Sequence, residues 1–303
     1  MIVRDLLDHG HRVRALVREP VSTELPENVE IFQGDLANEQ VLRRAVSGAH
    51  VVLHLAAKLH IENPDASLRD EYERVNAAAT ETLVNIANAA SRFVYFSTIA
   101  VYGHARLRNG LITESDEAFP DTIYSETKRA GELAVLEQKN GVVLRLAAVY
   151  GKGMKGNYPR LVNALKKRRF VYIGNGTNRR TLIHVADVSR AARLAATSPV
   201  AAGNIYNVTD GTVHTTRKII ETICDVLRIS GPLVRLPEKP VRLLAGAIED
   251  VFALAGKRAP VSRAAIEKFL EDVAVSGEKI KTDLGFVPKY DLMSGWREAL
   301  KQK

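Results

Sequence analysis

Short β-branched and aromatic runs alternate with helical stretches through the first 146 residues, an order that demands a doubly wound α/β fold, with a parallel sheet covered by helices on both faces. Strands are expected over 13–17, 29–32, 51–55, 93–96 and 142–146, and helices over 39–46, 70–90 and 125–140. At 303 residues there is ample material for one large α/β unit or two joined lobes. The texture changes after Gly151, where glycine and basic residues cluster in Gly151-Lys152-Gly153-Met154-Lys155-Gly156. Beyond it strands become sparse and Pro237, Pro240, Pro260 and Pro288 punctuate helical stretches. We expect residues 1–150 to form the sheet domain and 151–303 a smaller, mostly helical lobe. A strand near 204–208 is expected to return to the main sheet.

Hydrophobic residues make up 46% and charged residues 26% of the chain, an ordinary balance for a globular protein. The single cysteine, Cys224, excludes a disulfide framework and a cysteine-rich zinc site, and reads as a small buried apolar side chain. No metal is expected. The net charge of +8 is spread out, with no helix-turn-helix and no aromatic-basic platform, so an anionic small molecule suits it better than nucleic acid. The cluster Lys166-Lys167-Arg168-Arg169 reads as a helix end, where positive charge complements the dipole. The longest apolar stretch, 241–255, carries Glu249 and Asp250 and reads as an amphipathic helix, not a membrane span. Its stripe of Leu243, Leu244, Ile248, Val251 and Phe252 is expected to pack into the core. The N-terminus lacks the apolar core and cleavage site of a signal peptide, which makes a cytoplasmic location the default expectation.

Tyr124-Ser125-Glu126-Thr127-Lys128 sets a phenol and an ammonium four residues apart, on one face of a helix that begins there. An ammonium about 4 Å from a phenolate is worth roughly 4 kcal/mol at an effective dielectric near 20, enough to bring a phenol down from about 10 toward neutrality. Such a phenol takes a proton from an alcohol while a hydride leaves the same carbon. An exposed helical pair has the same spacing. Upstream, the apolar strand Phe93-Val94-Tyr95-Phe96 runs into Ser97-Thr98. Ligands of open α/β sheets sit at the carboxyl ends of strands, which places these hydroxyls to address a reacting oxygen; tying down a turn is their other use.

With these residues in hand, the chain resembles the extended short-chain dehydrogenase/reductase family, in its NAD(P)-dependent epimerase/dehydratase branch. The matching blocks run nearly end to end: Gly34-Asp35-Leu36, Val52-Leu53-His54-Leu55-Ala56-Ala57, Val75-Asn76, Leu144-Arg145, Val149-Tyr150-Gly151, Arg180-Thr181-Leu182-Ile183-His184-Val185-Ala186-Asp187, Gly203-Asn204-Ile205-Tyr206-Asn207-Val208, and Leu284-Gly285-Phe286 with Pro288. The resemblance implies a Rossmann-like fold. It implies that Tyr124 is the acid–base, that Lys128 lowers its pKa and contacts a ribose, and that Thr98 is the catalytic hydroxyl. Cofactor contacts are implied from Asp35 at the adenine, from Leu36, from Leu55, Ala56 and Ala57 where the backbone passes the cofactor, and from Asn76 and Ser97. On the substrate side it implies Thr98, Asn157 and Arg180, the last suited by its bidentate fork to a nucleotide diphosphate.

Departures narrow the reading. Ile99 and Ala100 stand where dehydratases carry an Asp-Glu pair, so dehydration is not expected. Leu146, Ala148 and Ile123 replace a frequent Pro, Asn and Pro. Val17-Arg18 stands where an acidic residue would accept the ribose hydroxyls of NAD; Arg18 suits a 2′-phosphate, which tilts the expectation toward NADP. Residues 2–10 read as a helix tail with a glycine stop, whereas a strand and a G-x-G-x-x-G turn belong before such a helix. A misassigned start or a truncation is therefore expected, with the chain as written folding poorly or binding cofactor weakly. The roughly 8 to 15 kcal/mol of a central strand's aliphatic side chains matches a domain's whole net stability. The resemblance leads to a nucleotide-sugar C4 epimerase or 4-keto reductase. A 3-hydroxysteroid or flavonol-type NADP-dependent reductase is the alternative suggested by Val13-Arg14-Ala15-Leu16-Val17-Arg18 and the apolar C-terminal helix. A non-catalytic cofactor-binding relative or inert remnant is the third. A homodimer through helices 70–90 and 125–140 is implied as well.

Overall fold

A computed structural model describes residues 1–19, 25–59, 66–87, 91–103, 110–154, 156–232, 234–255, 259 and 263–301. Lys155, Pro260 and the last three residues of the helix expected over 70–90 lie outside the described residues. The chain opens on α1 (Ile2–Asp8), β1 (Arg14–Val17), β2 (Glu30–Gln33), α2 (Glu39–Val46) and β3 (Val51–His54). The next helical stretch comes in pieces: α3 (Arg69–Tyr72), a π-helical turn Glu73–Ala78, and α4 (Ala79–Ile86). Then follow β4 (Arg92–Thr98), α5 (Ile123–Leu136), β5 (Gly141–Leu146), β6 (Ala148–Tyr150), α6 (Asn157–Lys166), β7 (Tyr172–Ile173), β8 (Arg179–His184) and α7 (Val185–Thr197). The rest of the chain forms β9 (Ile205–Val208), β10 (Val213–Thr215), α8 (Thr216–Leu227), β11 (Arg235–Leu236), α9 (Glu238–Leu254), α10 (Arg263–Leu270), α11 (Glu278–Leu284) and α12 (Leu292–Ala299).

The main sheet is parallel throughout, in the order β3-β4-β5-β9. Its central strands are buried on both faces, which is why β4 and β5 read as unbroken apolar runs. On one face α7 lays Val188, Ala191, Ala192 and Ala195 against Val94, Val142 and Leu144; on the other, Leu83 and Val84 of α4 and Val135 of α5 pack on Phe93, Tyr95 and Val143. This is the expected doubly wound α/β arrangement, and Ile205–Val208 joins it beside β5. β1 and β2 form a separate parallel pair. Among the described residues no ladder joins β1 to β3, although Leu16 of β1 and Val52 of β3 pack against the same apolar cluster.

After Gly151 the chain holds more strand than its texture suggests. β8 pairs parallel with β6 and antiparallel with β10, and β7 pairs parallel with β11. These strands are short, and β8 and β11 begin on arginines, so no long run of apolar residues announces them. A second core sits here, with Trp296 fully buried and stacked on Tyr150 at a centroid distance of 4.8 Å. Gly295 is required for that contact, since a Cβ there would lie 2.1 Å from the Tyr150 hydroxyl oxygen. Cys224 is buried in the same core. The basic cluster at 166–169 does mark a helix end, with Arg168 in the left-handed region at φ 54°.

The apolar stripe of α9 corrects the expectation of core packing: Leu243 is 76%, Leu244 63% and Val251 63% exposed. The helix turns its small residues, Ala245 and Gly246, inward and packs on α10, where the Arg263 guanidinium lies against Gly246. Among the described residues no helix is long and apolar enough to cross a membrane.

Candidate active site

α5 begins where Thr122 and Ser125 form a reciprocal capping box, the Thr122 hydroxyl accepting from the Ser125 amide at 3.1 Å. That cap fixes Tyr124 in the first turn and Lys128 one turn further on. Gly131 lets the helix approach the sheet closely, because a Cβ there would lie 2.4 Å from the Tyr95 hydroxyl oxygen. Thr98 ends β4 beside Leu146, which ends β5. Thr98, Tyr124 and Lys128 line one cleft of about 1150 Å³ at the carboxyl ends of the main-sheet strands, together with Leu55 and Ala57 beyond β3 and Ser97 on β4. A single drug-sized ligand needs about 300 to 1000 Å³, so there is room for more than one small molecule.

The Thr98 hydroxyl neighbours the Tyr124 phenol, and Thr98 Oγ1 accepts from the Ala100 amide at 3.2 Å. Burial pushes the Tyr124 phenol up to about 12, with the Thr98 hydroxyl opposing it. The expected downward shift is corrected in direction: loss of hydration outweighs the neighbours' help. The Lys128 ammonium rests instead on the face of Tyr95, with Nζ 3.9 Å from the ring centroid. Burial brings Lys128 down to about 7, against the pull of Glu132. A phenol in this state keeps its proton at neutral pH.

Behind these groups lies a buried ionic network. Glu132, one turn after Lys128, accepts from Arg145 Nε at 3.0 Å and Nη2 at 2.7 Å, from Arg129 at 2.8 Å, and from the Ser97 hydroxyl. Arg145 lies over the Tyr102 ring at 4.7 Å, and Tyr102 donates to Asn207 at 2.9 Å. The Ser97 hydroxyl therefore ties β4 to α5. Asn76 plays a similar part: its amide oxygen accepts from the Lys58 backbone at 2.7 Å and its nitrogen donates to the Lys58 carbonyl and to Thr127. The side chain expected to touch a cofactor pins the loop after β3 to α5. His54 is buried against Thr80 at 2.9 Å, and burial lowers it to about 3, which keeps it neutral.

Residues expected at the far end of a dinucleotide stand apart from the cleft lining. Asp35 accepts from the Ala37 amide at 2.9 Å in a turn, Leu36 packs into the core beside α2, and Arg18 pairs with Glu19 at 3.3 Å on the surface. Ala56 is exposed between Leu55 and Ala57. Asn157 and Arg180 do line the cleft, and with them Lys152, known from the sequence only as part of the cluster after Gly151, and Arg160, Lys268 and Glu271, which did not stand out in the sequence. Arg160 follows Asn157 by one helical step of three on α6, a weak signal; Lys268 and Glu271 follow α10 into the cleft from 88 to 91 residues beyond Arg180, which no local pattern reveals. The residues fit the reactive end of a nicotinamide cofactor, with an open strand end at Leu55 and Ala57 and hydroxyls at 98 and 124; among the described residues there is no comparable set for its adenosine end.

Residues 1–209 match the NAD dependent epimerase/dehydratase family. The chain belongs to that family. Members similar to it include a 4-hydroxy-2-methyl-3-oxo-4-farnesyl-3,4-dihydroquinoline-1-oxide ketoreductase of Stigmatella aurantiaca, 28% identical over 98% of this chain and 90% of that protein. A 3 beta-hydroxysteroid dehydrogenase/Delta 5-->4-isomerase of Mycobacterium tuberculosis is 28% identical over 99% of this chain and 85% of its own length. The solved structure of MoeE5 in complex with UDP-glucose and NAD shares the fold, with a TM-score of 0.74 at 24% identity over 98% of this chain and 92% of that one. As a member of this family the protein is an NAD-dependent oxidoreductase or epimerase.

Proposed function

We propose that the protein acts on a hydroxyl or keto group of a nucleotide-sugar, as a C4 epimerase or 4-keto reductase. One observation carries the reading: the Thr98 and Tyr124 hydroxyls line the same cleft as Lys152, Arg160, Arg180 and Lys268. The pair addresses a reacting oxygen, and the cations suit a diphosphate. The binding of UDP-glucose by MoeE5 supports the same choice. A bound nicotinamide would exchange hydride with the carbon bearing that oxygen. Leu55 and Ala57 would hold it, Lys128 would meet its ribose, and Tyr124 would deliver a proton to a keto oxygen in the reductive direction or accept one in the oxidative direction. NADP is the cofactor we favour, with Arg18 exchanging Glu19 for the 2′-phosphate.

A second reading, reduction of an apolar ketone or hydroxysteroid, is favoured by the apolar wall of Leu55, Leu59, Phe96, Ile99 and Leu146. The two relatives named for a farnesylated quinoline oxide and a 3β-hydroxysteroid support it. Thermal unfolding separates the two: UDP-sugars are expected to raise the melting temperature and apolar alcohols to leave it unchanged. The reverse pattern would overturn the nucleotide-sugar reading. Tyr124→Phe is expected to lower turnover by about 10²- to 10⁴-fold; unaltered residual turnover in that variant would mark a non-catalytic cofactor binder.

A further inference from the structure

Two of the cations that line the cleft already hold an anion of the chain's own. Arg180 Nη1 donates to Glu271 Oε2 at 3.0 Å, and Lys268 Nζ lies 2.7 Å from the same oxygen. The second terminal nitrogen of Arg180 donates to the carbonyls of Lys268 and Phe269. The Glu271 side chain is only 6% exposed, and Lys268 and Arg180 hold its carboxyl below the ordinary range in spite of burial, so it is ionised at neutral pH. The fork that would chelate a diphosphate is thus already filled. Next to it on β8, Arg179 grips Asp272 at 2.9 Å and its carbonyl accepts from the Val273 amide at 2.9 Å. Two successive arginines hold two successive acids, and of these four residues Arg180 and Glu271 line the cleft, while Arg179 and Asp272 line a separate depression.

We propose that Glu271 is a specificity-setting residue whose carboxylate occupies the Arg180–Lys268 anion position in the free protein and is displaced when a diphosphate binds. The proposal rests on the anion-binding role given to Arg180 above. Two anions cannot share one guanidinium fork, so every diphosphate meets the cost of breaking this pair, whereas an uncharged alcohol does not. Glu271 thereby tilts the cleft away from weakly held anions. Displacement frees the Glu271 side chain alone, since Asn178, which donates to the Phe269 and Glu271 carbonyls at 3.0 Å, and the Arg179–Asp272 pair still hold the segment.

Calorimetry with inorganic pyrophosphate and with UDP tests this without turnover. Glu271→Gln keeps the side chain's size and removes its charge; both probes are expected to bind it at least about tenfold more tightly than wild type. The gain should vanish in Glu271→Gln/Arg180→Gln and be absent in Asp272→Asn, which breaks the neighbouring pair outside the cleft. Equal affinities in Glu271→Gln and wild type would overturn the proposal. Urea unfolding of Glu271→Gln is expected to show a cooperative transition like that of wild type, so equal affinities cannot be put down to a lost fold. Failure of the nucleotide-sugar reading looks different, with no turnover of UDP-sugars but pyrophosphate still bound more tightly by Glu271→Gln.

Discussion

An ammonium buried on an aromatic face carries a pH signature that can be read without knowing the substrate. Lys128 titrates near 7 in the folded protein, below the ordinary 10.5. Between those values the unfolded chain binds the extra proton, so stability rises with pH through that window and is flat below about 7. Other groups titrate too, and the difference between wild type and Lys128→Met isolates this one. That difference should grow in favour of wild type by about 3 kcal/mol from pH 6 to pH 9, followed by urea unfolding. A flat difference would mean that the lysine is hydrated. The four-residue spacing from Tyr124 placed both side chains in the cleft but misjudged how they titrate, because spacing encodes proximity and not the loss of water. Glu271 was invisible for another reason: its partner Arg180 is 91 residues away.

At the scale of elements, α5 is joined to the sheet by charge as well as by the apolar contact of Val135. Glu132 and Arg145 are fully buried, link α5 to β5, and lie behind both Lys128 and Ser97. Removing one partner of such a pair leaves an uncompensated buried charge, so Glu132→Ala should cost about 3 to 5 kcal/mol by chemical denaturation. A loss below about 1 kcal/mol would show that water reaches the guanidinium. The elements themselves were largely legible: α2 falls on its expected residues 39–46, and β3, β4 and β5 differ from expectation only at their ends. Their apolar runs are long enough to be unambiguous. The helix over 70–90 was legible in extent but not in form, since its π turn at Glu73–Ala78 has no compositional marker. What the pattern missed, β6 to β8, β10 and β11, are strands of two to six residues held by tertiary pairing.

For the whole molecule, the main sheet buries α4 and α5 on one side only, and their outer surfaces meet solvent side by side. On α5 the outward residues are Ala130, Leu133 and Glu137, with Leu133 51% exposed; on α4 and the turn before it they are Ala78, Glu81 and Asn85. Small residues flanking one large apolar side chain let two helices from each copy approach across a two-fold axis, where every residue of the patch meets the same patch. We propose a homodimer through this face. Leu133 lies where a two-fold contact would bury it, whereas α9, with its larger apolar stripe, stands on the C-terminal lobe and is not part of this surface. Light scattering should therefore give about twice the 33.3 kDa of one chain for wild type. Leu133→Glu brings a carboxylate from each copy into the same buried contact, which costs several kcal/mol, and should return the mass to that of one chain without lowering the melting temperature of the monomer. A dimer that survives Leu133→Glu would move the interface away from α5, and the stripe of Leu243, Leu244 and Val251 on α9 would be the next surface to mutate.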